Sequence, residues 1–160
     1  MYRKKEDFLN DWNMASEGTL RVIEAISNDK LDQAVVEGHN TLGWLGWHLA
    51  TSPAFFASQI GLNVTVSGEP AVVPNNVSEI AEGYKAIANK VKEEVESNLT
   101  DEQLIETVES FGNQVPRGAL LRSLIDHQTH HRGQMTVLLR QAGLKVPGVM
   151  GPTKEDQAAQ

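Results

Sequence analysis

The sequence predicts an all-α fold, a four-helix bundle, on three observations. Four stretches carry apolar residues at the three- and four-residue spacing of an amphipathic helix. The connection between the second and third is long enough to cross a bundle end to end. No segment reads as a strand. With 160 residues and 40% hydrophobic content, the chain is expected to form one domain over residues 1–160 around a single sizeable core.

The first helix is expected from about Lys5 to Ser27, with Phe8, Trp12, Ala15, Thr19, Val22, Ile23 and Ile26 inward and Glu6, Asp7, Glu17 and Arg21 outward. Asn28 to Asn40 holds turn formers, and Thr41 is placed to cap a second helix running from Leu42 to about Gly61. On that helix Trp44, Leu45, His48 and Phe55 share a face, and Gly61 is a natural stop. Leu62 to Val77 carries Gly68, Pro70, Pro74, Asn75 and Asn76 and reads as a loop. Fully extended it reaches about 50 Å, more than the roughly 30 Å of a 20-residue helix. Asn76 followed by Glu79 resembles a capping box for a third helix to about Leu99, with Ile80, Ala81, Tyr84, Ile87, Ala88, Val91 and Val95 inward. A helical turn is expected in Asp101 to Val108, and an extended segment from Glu109 to Val115. Pro116 then stands as the first position of the fourth helix, which Gly143 ends. The tail from about residue 144, LKVPGVMGPTKEDQAAQ, is too rich in Gly and Pro for regular structure, and its last few residues are expected to be mobile.

Composition narrows the function. A formal charge of −7 argues against nucleic acid or anionic lipid as the main partner, because both need clustered Lys and Arg. There is no cysteine, so disulfides, thiolate metal sites and a cysteine nucleophile are excluded, and any thiol chemistry must come from a ligand. The N-terminus MYRKKEDFLNDW lacks an apolar h-region, and no stretch has the apolar length of a membrane span. A cytoplasmic protein is therefore expected. No internal repeat or low-complexity run is present.

The chemistry gathers in LLRSLIDHQTHHRGQMTVL, residues 120–138. At about 100° per residue, Leu120, Leu124, His127, His131, Met135 and Leu138 fall on one stripe, with Gln134 at its margin. A buried imidazole without a partner costs roughly 1–3 kcal/mol, so two of them one turn apart on an apolar face need an explanation. A metal ion supplies one, since residues four apart on a helix reach a common point. A third ligand is sought on another core face, and His48, set in LGWLGWHLA among aromatic and aliphatic residues, qualifies. Three neutral nitrogens leave a coordination position open, the pattern of catalytic zinc sites. The same donors suit nickel, iron or cobalt, so they do not identify the metal; the expected cofactor is one divalent ion, zinc or nickel first, then iron, cobalt or manganese.

The WHLA segment on the second helix, HQTHHRGQM on the last, and the order of helices resemble the DinB/YfiT-like family of metal-dependent enzymes. The resemblance covers essentially the whole chain. It implies that His48, His127 and His131 are the metal ligands, in an up-down-down-up bundle that is often dimeric. It also implies a reaction class, since members include thiol transferases using bacillithiol or mycothiol and a thiol-dependent isomerase. The function expected here is therefore a metal-dependent transferase in which a low-molecular-weight thiol attacks a small electrophile.

Two alternatives stand beside it: a metal-dependent small-molecule hydrolase, and a non-catalytic metal-binding or interaction protein. A zincin protease is set aside, because its H-E-x-x-H is replaced by HQTHH and Gln128 cannot take up a proton. Gln134 is a candidate catalytic residue that could hold a water or substrate, and Trp44 a candidate cofactor-binding residue lining the pocket. Trp47 reads as a packing residue. His130, about 100° from His131, reads as a flank or interface residue, and His39 as an exposed loop residue near the entrance. Asp126 points away from His131 toward the surface. Gly133, an internal helical glycine, is expected to mark close approach of another backbone, and with the His130 side of the helix it supports a homodimer.

Overall fold

The computed structural model describes residues 1–157. Its long helices are α1 (Lys5–Glu24), α2 (Leu42–Gln59) and α3 (Val77–Asn98). They are followed by a one-turn helix α4 (Asp101–Ile105), strands β1 (Thr107–Ser110) and β2 (Asn113–Pro116), the long helix α5 (Arg117–Gln141) and a short α6 (Lys154–Gln157). Each of α1 and α2 packs against both α3 and α5, so the four long helices form a bundle in which chain neighbours α1 and α2 lie diagonally.

Side-chain pairings give the directions. Trp12 of α1 donates to the Ala88 carbonyl and Lys5 to that of Glu96, which sets α1 antiparallel to α3. Gly46 lies over Ile80 and Trp47 over Gly83, so α2 and α3 run parallel, which only a crossover of the length of residues 60–76 permits. Tyr2 pairs with Gly118 and Ala15 with Arg132, placing α5 parallel to α1. The bundle is up-down-down-up.

The helix ends follow from local chemistry. Thr41 accepts the Trp44 N–H, and α1 stops at Glu24, three residues short of the expected Ser27, as the Ala25 and Ile26 N–H groups turn back onto Arg21 and Ile23. Asn76 caps α3 through the Ser78 N–H, and Glu79 does not complete the expected box. The full capping box belongs instead to Thr100 and Gln103 on α4. Within the crossover, the Glu69 carbonyl accepts from the Trp47 indole at 3.1 Å. At its end the Val77 N–H reaches Asn28 Oδ1 at 2.9 Å.

Three expectations need correction here. The segment read as merely extended pairs into an antiparallel hairpin, with Val108 opposite Val115 and both packed on the core. Its strands carry little apolar alternation, which hid them. Its two-residue turn is Phe111 at φ 48° and Gly112 at φ 76°, a type I′ geometry in which Phe111 costs about 1–2 kcal/mol. Because Pro116 closes β2, it is the N-cap of α5 and not its first residue. The tail, read as irregular, contains α6, held by Thr153 and Asp156 and by a two-pronged Arg140 to Glu155 ion pair. The expectation of mobile last residues bears on 158–160, outside the described residues.

The core has two apolar groups, one around Phe8, Trp12, Val91, Val95, Leu121 and Leu124, the other around Ile23, Leu42, Leu49, Ile80 and Met135. A polar layer crosses the bundle as well. Tyr84 donates to Gln128 at 2.8 Å, and buried Arg132 donates to the Ala15 carbonyl at 3.0 Å and to Thr19 at 3.2 Å. No helix of the described residues is long and apolar enough to cross a membrane.

The glycine that lets a backbone come close is Gly118, not Gly133. A methyl group on Gly118 would overlap the Tyr2 carbonyl oxygen and stand 2.9 Å from its carbon, while one on Gly133 meets nothing within 4 Å. Gly118→Ala should therefore destabilise the chain by about 1–3 kcal/mol. Gly133→Ala should raise its stability by up to about 1 kcal/mol, as an exposed helical position gains propensity. Urea unfolding midpoints of the two variants, moving in opposite directions, check this.

Candidate metal centre

Three histidines meet on the seam between α2 and α5. One ring nitrogen each from His48, His127 and His131 lies within 4.8 Å of the others, and all three rings are half-buried. The spacing of four residues places His127 and His131 on one face of α5, and antiparallel packing brings His48 of α2 against both. The Nε2 atoms of His48 and His127 are 3.1 Å apart. Two nitrogens each at the usual 2.0–2.1 Å from one ion stand about 3–3.4 Å apart, so the rings fit a shared ion.

The surroundings orient each ring differently. Gln134 Oε1 lies 2.8 Å from His131 Nδ1, which places the proton there and leaves Nε2 free to ligate. Trp44 stacks on His48, with centroids 4.7 Å apart and planes 11° from parallel. Phe56 packs on His127 at 5.2 Å, and His127 Nδ1 is buried with no hydrogen-bond partner among the described residues. All three rings are held below the ordinary histidine value of 6.5, first by burial. The neighbouring imidazoles add to this, and His127 is pushed down to about 4; at His131 the Gln134 bond partly offsets it. Neutral rings are the form a metal needs.

The remaining sequence candidates fall around this centre. Gln134 reaches His131 itself, a partner that its position three residues along the helix could have revealed. Trp44 also lines a cavity of about 450 Å³ with His39, Asn40 and Asp32. A second cavity, about 330 Å³, lies between His39, Val35, Leu45, Gln134 and Val137. His39 is exposed at the rim of both. His130 is exposed and stays outside the group, its ring 4.8 Å from that of His131. Asp126 is on the surface, paired with Arg122 at 2.7 Å. Trp47 is buried over Gly83 as a packing residue. Phe55 shares the face of His48 but is 46% exposed, its ring neighbours being Phe56 and Phe111. The sequence carried no sign that Phe56 would meet His127, since that depends on where α2 and α5 cross.

The profile of the DinB family matches residues 1–160. The chain belongs to the DinB family. Among its relatives, the uncharacterized protein YrdA of Bacillus subtilis is 36% identical over 158 residues, covering 99% of this chain and 95% of that one. The uncharacterized protein YjoA of the same organism is 29% identical over 142 residues, covering 85% and 86%. The crystal structure of a DinB-like protein from Bacillus cereus ATCC 10987 superposes with a TM-score of 0.88 at 39% identity, covering 93% of this chain and 99% of that one. That of YjoA superposes at 0.71 with 23% identity, over 91% and 99%, and speaks for the fold alone. Family membership and the histidine group together make this DinB chain one that can hold a metal ion.

Replacing His48, His127 or His131 by Ala should remove most of the bound metal, because two imidazoles make a much weaker site. His39→Ala and His130→Ala should keep it. Elemental analysis after dialysis, with circular dichroism as the folding control, distinguishes these outcomes. Metal affinity should fall as pH drops from about 6.5 toward about 4, since protons compete for the same nitrogens and burial delays them. The metal-free chain should lose stability in the same window: with folded values depressed, the unfolded state binds more protons there.

Proposed function

We propose that the chain is a metal-dependent enzyme transferring a low-molecular-weight thiol, of the bacillithiol or mycothiol kind, onto a small electrophilic substrate. The observation that supports it is the donor set. Three half-buried imidazoles converge, and no carboxylate joins the group among the described residues. A divalent ion held there would lower the pKa of a thiol and favour its thiolate. Zinc or nickel suits such donors best, with iron, cobalt or manganese also served. Gln134 fixes the His131 tautomer, and Trp44 holds His48 by its ring face. Because the chain has no cysteine, the thiol must be a second ligand. A metal-dependent hydrolase would need a proton acceptor, and among the described residues no Asp or Glu joins the histidine group.

Purified protein loaded with each metal should turn over model electrophiles only when thiol is added. Metal-dependent hydrolysis without thiol would replace this reading with the hydrolase. A stably loaded protein inert under both conditions would leave a metal-binding or interaction protein.

The homodimer belongs to the same proposal. His130, Gly133 and Val137 stand exposed on α5, and Val137 is 52% exposed, a face a second bundle can cover. Sedimentation at micromolar concentration should return twice the 17.6 kDa chain mass, and a species of 17.6 kDa alone overturns it.

A further inference from the structure

A series of aromatic rings leads outward from the histidine centre. Phe56 lies against His127 with centroids 5.2 Å apart, Phe55 meets Phe56 at 5.7 Å, and Phe111 meets Phe55 at 5.9 Å. Exposure rises along the series, from a half-buried Phe56 through Phe55 at 46% to Phe111 at 82%. The last ring comes from a different element, the tip of the β1–β2 hairpin. At that turn position an Asn or Gly accepts the positive φ freely and leaves no apolar surface in water. Phe111 is therefore unfavourable for the fold on two separate grounds, backbone and solvation. Its ring nevertheless completes a run of ring contacts that ends on His127.

The cavity beside Gln134 does not compete for this role, because none of His48, His127 and His131 lines it. We propose that Phe55, Phe56 and Phe111 form a shelf that seats the flat, apolar body of a small substrate whose polar head lies at the histidine centre. The proposal rests on the metal-centre reading above and names a substrate class for it: compounds with an aromatic or extended apolar group joined to a metal-directed head. Aromatic rings gain from offset stacking and edge contacts beyond simple burial, which favours flat groups over branched aliphatic ones.

Two probes test it on cobalt-loaded protein, imidazole and imidazole carrying a biphenyl group, with dissociation constants read from the cobalt visible spectrum. The biphenyl probe should bind about tenfold tighter than imidazole. Phe111→Asn and Phe55→Ala should each remove most of that advantage and leave imidazole binding within about twofold. Phe111→Asn should also unfold at the same or a higher temperature, since it relieves the turn, so loss of preference cannot be ascribed to unfolding. Equal affinities in the parent chain, or a preference surviving both substitutions, overturn the shelf while the metal centre stands. Dissociation of a dimer by Phe111→Asn with the preference intact assigns the rings to a second copy and also overturns it. A chain that takes up no cobalt, or whose cobalt spectrum ignores imidazole, removes the metal-centre reading and the shelf with it.

Discussion

The convergence of three imidazole rings on the α2–α5 seam is the constraint from which most of the structure follows. Rings with centroids 4.5–4.9 Å apart leave no freedom for the two helices to slide or rotate relative to one another. A shift of one residue along either helix would turn a histidine about 100° away from the others. The neighbouring contacts supply what holds the register. Gly46 and Gly83 let α2 and α3 approach until Ile80 and Trp47 fill the space beside them. The crossover then returns the chain so that α2 and α3 can lie parallel with α5 on the other flank of α2.

The rotation of α5 is set by a second stripe, displaced by one residue from the first. Gln128 follows His127 and Arg132 follows His131, so both point about 100° away from the histidines and into the body of the bundle. There Gln128 accepts from Tyr84 of α3, and Arg132 donates to Ala15 and Thr19 of α1. A buried guanidinium with no carboxylate partner among the described residues is costly, and burial works against its charge. Its hydrogen bonds are correspondingly selective for one rotation of the helix. One short segment, HQTHHRGQ, therefore carries a stripe that faces the metal centre, a stripe that fixes the angle of that face, and in Gln134 the group that orients a ring.

Much of this could be read from the sequence because helical periodicity is a strong signal when the core is one-sided. The four long helices rest on spacing, the crossover on loop length, the caps at Thr41 and Asn76 on residue type, and the pairing of His48 with the last helix on its apolar setting together with the family resemblance. What the sequence concealed depends on contacts between distant segments. The two internal glycines of α5 look alike in sequence, yet only Gly118 faces a backbone, that of Tyr2, 116 residues earlier. The hairpin was hidden because Glu109, Gln114 and Asn113 give its strands no apolar rhythm, and because a Phe-Gly turn is not one that sequence rules favour. Phe56 at His127 is likewise a product of helix crossing.

The hairpin also shows how the fold and the centre share one boundary. Pro116 ends β2 and stands as the N-cap of α5, so the hairpin is joined without a linker to the helix that carries two of the three histidines. Val108 and Val115 anchor its base on the core, while the two-residue turn projects Phe111 toward Phe55 near the end of α2. The position of the turn is thus determined by the same α2–α5 register that brings the imidazoles together. A displacement of α5 along α2 would carry His127, His131 and the hairpin together away from His48, Phe55 and Phe56, so the centre and the Phe55–Phe111 contact depend on one register of the two helices, although they come from opposite halves of the chain.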